Sequence, residues 1–421
     1  MELTPPMSRE LRYYNGVLAL LLPLLLLVTL WHAYRRRGGW RFIRQRLALL
    51  PSEPASIGSW WFHAASVGEV NGLIPLLQRL QQRKPQQPIV LTTTTPQGRE
   101  RAAQRLPNIA CYYLPLDYGR LLRRFIAHHR PQRLLLMETE LWPNLIACAR
   151  ESQLPLWVIN GRLSAKTSQR APSWLRRLYG QSLQQCTMIL CRAESDWQQF
   201  IALGAPPQRC RVVGNLKYSA PLTVAEGEIE SVVPTDRPYI LLASTREGEE
   251  RLLIEALSQL PQWRDYLWVV APRHPERREA IKRQLHPFEL AVRTAAEPIS
   301  ATTAIYLLDT LGELTAAMAR ATLVVMGGSF SDKGGHNLLE PAALGRAVVV
   351  GPDMANFATE TAAMVAYGAA LQLESVAALP PLLAQLLAET NRLTQMGEQA
   401  RRYIAQQADI VERYLASLAI E

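Results

Sequence analysis

Several catalytic signatures are missing from this chain. No Asp-x-Asp occurs, and no set of histidines and carboxylates has metal-ligand spacing, so no metal and no cofactor are expected. The absence of Gly-x-x-x-x-Gly-Lys-Ser/Thr argues against a P-loop phosphotransferase. The first apolar strand is not followed by Gly-x-Gly-x-x-Gly, which disfavours dinucleotide redox chemistry. Lysine is scarce: only Lys84, Lys166, Lys217, Lys282 and Lys333 occur in 421 residues. Cysteine is scarce too. Cys111, Cys148, Cys186, Cys191 and Cys210 form no Cys-x-x-Cys pair and no even framework. They read as buried free thiols in a reducing compartment.

What is present is a long, fairly apolar and basic chain. Hydrophobic residues make up 48%, enough for real cores, and the length suits two domains of about 150–200 residues. The net charge of +10 is compatible with nucleic acid, a membrane surface or small anionic substrates. The basic residues are scattered and no RNA-binding signature appears, so nucleic acid is not an expected partner.

One hydrophobic run stands out, Gly16–Trp31, with Tyr13, Tyr14 and Trp31 at its edges. Amphipathic rings favour the headgroup region. Counted from Tyr13 it is about 19 residues, roughly 28 Å of helix and barely the hydrocarbon thickness. Pro23 sits inside it and is expected to kink it. The run ends in His32-Ala33-Tyr34-Arg35-Arg36-Arg37, unlike the small residues of a signal-peptide cleavage site. Arg41, Arg44 and Arg46 follow, whereas only Arg9 and Arg12 precede, offset by Glu2 and Glu10. The excess of arginine after the run places the body on the cytoplasmic side of a single N-terminal anchor. A segment lying in the interface instead of spanning is the alternative that the short length leaves open.

Beyond Pro51, short apolar runs alternate with longer amphipathic stretches, the rhythm of βαβ units and parallel sheets. Strands are expected at Trp60–His63, Ile89–Thr93, Leu134–Met137, Leu156–Ile159 and Met188–Cys191. The acidic, proline-bounded stretch Ala220–Arg237 reads as a linker. The rhythm restarts at Tyr239–Ala243, Leu267–Ala271, Ala304–Leu308, Leu323–Met326 and Ala347–Val350. The expected organisation is therefore an anchor and basic flank over 1–50, an α/β domain over 51–219, a linker over 220–237 and a second α/β domain over 238–421. Two Rossmann-like doubly wound domains facing a cleft would bind ligands beyond the carboxyl ends of their strands.

Polar residues cluster at those ends. His63-Ala64-Ala65-Ser66-Val67-Gly68-Glu69 opens a helix. Gly68 allows close approach, and Glu69 is either a working carboxylate or a helix cap. Met137-Glu138-Thr139-Glu140-Leu141-Trp142-Pro143-Asn144 puts two carboxylates directly after a strand, where one pKa can be raised for acid–base work. Gly214-Asn215-Leu216-Lys217 offers a cation for a phosphate or a developing negative charge. In the second half, Ala243–Glu250 follows the first strand, and Pro272-Arg273-His274 is placed to meet an anion. Gly327-Gly328-Ser329 leads through Lys333 to Gly334-Gly335-His336-Asn337-Leu338-Leu339-Glu340-Pro341. A glycine-rich loop entering a helix is a phosphate cradle, and Glu340 could accept hydrogen bonds from ribose hydroxyls.

Together these motifs closely resemble the Kdo transferases of lipid A biosynthesis, inverting glycosyltransferases with the two-Rossmann architecture called GT-B. The matching pieces are HAASVGEV, TTTTPQG, METELWPN, GRLS, GNLK, ASTREGEE, PRHPER, GGS, GGHNLLEPAALG and GPDMANF, in family order from about residue 60 to 360. The resemblance implies CMP-Kdo as donor and a lipid A precursor at the inner membrane as acceptor. It implies Glu69 as general base, with Glu138 and Lys217 stabilising the transition state. CMP contacts carry over to Pro272 and Arg273, to Leu311, Gly312 and Glu313, and to Asn337, Leu338, Leu339 and Glu340. Arg246 departs from the histidine usual in the family and is expected to bear on acceptor contacts. Another GT-B nucleotide-sugar enzyme, a UDP-sugar transferase or an epimerase, is the alternative reading, because fold alone does not choose between them.

Overall fold

The computed structural model describes residues 8–35, 38–49, 57–163, 171–219 and 230–419. Arg36, Arg37, Pro51, Ser164, Lys166 and residues 220–229 of the expected linker lie outside them. The chain divides into two compact units, Met1–Ala220 with Asp409–Glu421, and Pro221–Ala408.

The first unit is one parallel sheet of seven strands. In chain order they are β1 Trp60–His63, β2 Ile89–Thr93, β3 Ala110–Tyr113, β4 Arg133–Met137, β5 Leu156–Gly161, β6 Met188–Cys191 and β7 Cys210–Val212. Their spatial order is β3-β2-β1-β4-β5-β6-β7. The interior strands β1, β2, β4, β5 and β6 are buried along nearly their whole length and mostly apolar, as a sheet covered on both faces requires. Alternation divides β1 between two cores. Trp60 and Phe62 pack with Leu73 and Leu77 of the helix Val67–Arg83, while Trp61 packs with Phe125 on the opposite face. The order reverses direction between β1 and β4, whose registers pair Trp60 with Arg133 and His63 with Leu136. In a doubly wound sheet, that reversal is where ligands bind.

The second unit repeats the plan with β8 Tyr239–Thr245, β9 Leu267–Pro272, β10 Leu290–Val292, β11 Ile305–Leu307, β12 Leu323–Met326, β13 Ala347–Val350 and β14 Ala370–Gln372. The order is β10-β11-β9-β8-β12-β13-β14, all parallel, and the reversal falls between β8 and β12.

Every strand named from the sequence is present, and four more join them: β3, β7, β10 and β14. Each is an edge strand or its neighbour, three or four residues long, and short half-exposed runs carry little periodicity. The expected limit of the second domain at residue 421 is corrected. The helix Ile410–Ser417 belongs to the first unit, where Ile410, Val411, Tyr414 and Leu415 join the core of Leu73 and Leu77. Its Glu412 also meets Arg79 at 2.7 Å and Arg83 at 2.5 Å on that same helix. Four of the five cysteines are buried, and all five are free thiols.

Candidate active site

In the first unit the loops after β1 and β4 bring their charged groups to the point of reversal. Ser66 caps the helix Val67–Arg83. Its hydroxyl accepts the Glu69 N–H at 3.3 Å and donates to Glu69 Oε1 at 2.9 Å, while the Ala65 N–H donates to Glu69 Oε2 at 2.8 Å. This is a capping box, closed back onto the residue before the cap. Glu69 is thus both a cap and a buried carboxylate. Burial pushes it up to about 8, and the negative charges of Glu138 and Glu140 push the same way. The two hydrogen bonds pull against them without winning.

Glu138 follows β4 in a left-handed conformation, φ 54°, an uncommon backbone state for a side chain of its kind. Its Oε1 lies 2.7 Å from Lys217 Nζ, and both side chains are largely buried. Glu140 is 3.4 Å from the buried His63 Nε2 and accepts the Trp142 indole N–H at 2.8 Å. Burial raises the Glu140 pKa, but these two partners outweigh it and hold the carboxyl below its usual range. The sequence led to the expectation of a raised pKa within the Glu138/Glu140 pair. The structure gives it to Glu69 instead, where burial and two negative neighbours prevail, while His63 and Trp142 hold Glu140 down.

Lys217 is carefully held. Gly72, three residues past Glu69, has no side chain, and a Cβ there would stand 3.5 Å from Lys217 Cγ and 3.3 Å from Met137 Cε. The lysine therefore runs along the same helix face that presents Glu69. Asn160 at the end of β5 accepts the Leu216 N–H at 3.0 Å. The Tyr414 hydroxyl donates to Gly214 O at 2.8 Å and accepts the Asn160 N–H at 3.2 Å. Gly214 has φ 118°, and a Cβ on it would collide with Ile410 at 2.6 Å. The C-terminal helix thus sets the loop that carries Lys217.

In the second unit, a single buried carboxylate organises the glycine-rich loop. Glu249 Oε2 accepts the N–H of Gly328 at 2.6 Å and of Arg246 at 2.8 Å. Its Oε1 accepts the Phe330 N–H at 3.0 Å and the Ser331 hydroxyl at 3.1 Å. Gly327 lets this loop pass β8: a Cβ there would lie 2.6 Å from Thr245 Cα. Gly334 and Gly335 both have positive φ, and the Gly334 N–H is tied to Asp353 Oδ2 at 2.7 Å. Ser329 is buried and accepts the Gly351 N–H at 2.8 Å, so its hydroxyl locks β12 to β13 and does not face a ligand.

Four basic side chains converge beside that loop. Arg246 Nε donates to His336 Nε2 at 3.1 Å, and its NH1 lies 3.0 Å from His274 Nε2. Burial lowers the His336 pKa to about 4, helped by the charges of Arg246, Arg273 and His274. A neutral imidazole surrounded by two guanidinium groups and a second imidazole forms a place for an anion. Arg246, expected to bear on acceptor contacts, is thereby fastened to the glycine-rich segment. Of the remaining expected CMP contacts, Glu313 is held by Arg293 at 2.8 and 3.1 Å, and Gly312 has φ 93° beside the exposed Leu311. Asn337 Nδ2 donates to Glu340 Oε1 at 3.0 Å. Leu338 and Leu339 are buried, so only their backbone could meet a nucleotide. Pro272 and Arg273 close β9, with the Arg273 N–H on Thr245 O at 2.9 Å.

Volume does not locate this chemistry. Cavities of ≈ 760 Å³ and ≈ 770 Å³ lie along Leu11, Ala147 and Gln181 and along Gln78, Pro85 and Asn108, away from the carboxylate cluster.

Residues 41–220 match the family model for 3-deoxy-D-manno-octulosonic-acid transferase. The 3-deoxy-D-manno-octulosonic acid transferase of Bordetella pertussis is 36% identical over 425 residues, covering 96% of this chain and 98% of that one. The chain belongs to the Kdo transferase family. The Haemophilus influenzae member is 30% identical over 367 residues, 84% of this chain and 85% of its own length. As a member of this family the chain is a glycosyltransferase. The UDP-GlcNAc 2-epimerase of Neisseria meningitidis shares the fold at 14% identity, with a TM-score of 0.62 over 86% of this chain and 100% of the epimerase. That likeness speaks for the two-Rossmann GT-B fold only.

Sequence reasoning about this Kdo transferase family member overlooked Asn160, Tyr414 and the role of Glu249. Asn160 carried a signal, a polar residue at the carboxyl end of an apolar strand. Tyr414 carried none, because its partners lie some 200 residues away in the chain.

Proposed function

We propose that this chain is an inverting transferase that moves Kdo from CMP-Kdo onto a lipid A precursor. It works from the cytoplasmic face of the inner membrane. The observation that carries the mechanism is the buried Glu69, its carboxyl pushed up to about 8 by burial and by the charges of Glu138 and Glu140, together with the Glu138–Lys217 pair. The acceptor hydroxyl oxygen attacks the anomeric carbon of Kdo as the bond from that carbon to the CMP phosphate oxygen breaks. The bonding pair leaves with the phosphate, and the hydroxyl proton passes to Glu69. A single displacement inverts the anomeric centre and needs no covalent enzyme intermediate. CMP is already a good leaving group, so activating the nucleophile and holding negative charge are the main tasks.

Lys217, kept in place by Glu138, offsets charge building on the reacting groups. In the second unit Pro272, Arg273, Leu311, Gly312, Glu313 and Asn337–Glu340 hold CMP, and the Arg246, Arg273, His274 and His336 cluster takes an anionic group of the donor. The N-terminal helix keeps the enzyme at the membrane, where the acceptor's effective concentration is high. The test is transfer of labelled Kdo from CMP-Kdo to a lipid A precursor by the purified full chain, with UDP-sugars as rival donors. Turnover is expected with CMP-Kdo alone and is expected to survive a strong chelator. Preference for a UDP-sugar, or strict metal dependence, overturns the reading.

A further inference from the structure

The apolar helix Arg9–Arg35 runs unbroken through Pro23, and the first unit grips it at both ends. Near its start, Glu10 accepts from Arg177 Nε at 3.3 Å and Gln181 Nε2 at 3.1 Å. Tyr13 meets Trp174 edge-on with ring centroids 4.8 Å apart. The Tyr14 hydroxyl donates to Asp117 Oδ2 at 2.8 Å, and Asn144 Nδ2 donates to Asn15 Oδ1 at 2.7 Å. Asp117 is itself built in. It accepts the N–H of Asn144 at 3.2 Å and of Leu145 at 2.9 Å, and burial still pushes its carboxyl up to about 6.

At the other end, Ala33 is buried in one cluster with Phe42 and Tyr113. The next helix, Gly39–Arg46, is pinned to the same unit. The Tyr113 N–H donates to Gln45 Oε1 at 2.9 Å, and Arg46 NH1 donates to Leu114 O at 2.6 Å. Tyr113 and Asp117 belong to the same unit, so both ends of the helix are attached to one body.

Tyr14 and Ala33 stand about 28 Å apart along a helix, close to the hydrocarbon thickness of about 30 Å. Were the helix to span, with Ala33 at the near headgroups, Tyr14 would sit at the far ones. The bonds to Asp117 and Asn144 could then form only with those polar groups, and the body carrying them, sunk in hydrocarbon, where they are costly. The docked arrangement and a spanning helix are mutually exclusive.

The geometry points to a helix lying in the plane of one leaflet, with the first unit against the same membrane face. The inference rests on the membrane reading above and specifies its topology. The outward face fits this occupant: Leu20 is 82% exposed, Leu24 56%, Leu27 63% and Tyr34 88%, with Trp31 and Trp40 exposed beside them. The inward positions Leu11, Tyr14, Leu18, Leu22, Leu25, Thr29 and Ala33 recur every three or four residues and are half-buried or buried, so one face of the helix is turned to the body and the opposite apolar face is left for lipid. Exposed Arg9 and Arg12 at one end and Arg41 and Arg44 at the other meet anionic headgroups from the same side. Aromatic rings at both ends suit that depth.

The test uses the full chain in sealed inner-membrane vesicles of defined orientation. Arg9→Cys reports the helix start and Ala295→Cys the body, each labelled with a membrane-impermeant maleimide against wild-type background. Labelling of both from the cytoplasmic face only is the expected result. Labelling from opposite faces overturns the in-plane helix and leaves membrane anchoring standing. A wild-type chain that does not float with anionic vesicles overturns both. In addition, the triple substitution Leu20→Glu, Leu24→Glu, Leu27→Glu is expected to cut the vesicle-bound fraction roughly tenfold or more. It is also expected to preserve turnover on a detergent-dispersed acceptor. Unchanged vesicle binding, or a change only from dimer to monomer without lipid, overturns the proposal.

Discussion

Glutamine in place of Glu69 separates the cap this side chain forms from the general-base role proposed for it. Glutamine keeps the size and one carbonyl acceptor, so the cap formed with Ser66 and Ala65 is only partly lost. Losing a cap altogether costs about 0.5–2 kcal/mol. Losing a positioned general base costs roughly 10²- to 10⁴-fold in rate, about 3–5.5 kcal/mol of barrier. The expected outcome of Glu69→Gln is therefore a fall in kcat of about a hundredfold or more, with a shift in Tm of a few degrees and CMP binding kept.

The pH dependence is sharper. With the carboxyl at about 8, about one free enzyme in ten has Glu69 ionised at pH 7. Wild-type kcat/KM should climb about tenfold per unit below pH 8 and level off above it. Stability runs the opposite way. The folded value lies above the unfolded one of about 4.3, so the native state keeps a proton that the unfolded chain has released. That contribution is complete below about pH 4.3 and is lost as pH rises towards 8, a total on the order of a few kcal/mol. Glutamine does not titrate, so urea denaturation at pH 6 and pH 9 should find wild type losing ground to the variant as pH rises. A variant that keeps near-wild-type kcat, or a wild-type rate limb near pH 4–5, refutes the assignment of Glu69 as the raised-pKa base.

Other outcomes follow from the same contacts. Lys217→Met strands the Glu138 carboxylate and should cost about 3–5 kcal/mol in urea denaturation; adding Glu138→Gln should restore stability but not turnover. Arg246→Ala removes one of the charges that depress His336, so the imidazole should titrate above its present value of about 4 in an NMR titration, with weaker binding of CMP-Kdo. Tyr414→Phe leaves the Asn160 N–H and the Gly214 carbonyl without their partner, about 1–3 kcal/mol. Because Gly214 opens the loop of Lys217, kcat should also fall while the affinity for CMP, measured by calorimetry, stays unchanged.

Much of this was legible without coordinates. Apolar runs of four to six residues alternating with amphipathic stretches announced two doubly wound halves, and the interior strands were found where the pattern put them. The edge strands β3, β7, β10 and β14 escaped because a half-exposed strand of three or four residues has no periodicity to read. The carboxylates and Lys217 were recognisable because polar residues directly after buried strands are conspicuous. Which carboxylate would titrate high was not, since that depends on partners brought together in space: His63 and Trp142 hold Glu140 down, while at Glu69 burial and two negative neighbours outweigh its two hydrogen bonds.

The chain by itself thus determined the interior strands, the family and the residues proposed to carry the chemistry, because these follow from local periodicity and from motifs contiguous in sequence. Three things needed the tertiary structure. The helix Ile410–Ser417 returns to the first unit through the buried Tyr414, a long-range contact with no local trace. Glu249 gathers four donors from segments about 80 residues apart, apart from its own Arg246 N–H. The leucine-rich helix looked the same from sequence whether it spanned or lay flat, since about 19 apolar residues satisfy either. Only the pairing of Tyr14 with Asp117 at one end and the burial of Ala33 at the other separate the two, because a helix tethered at both ends to one body has no free end to cross with.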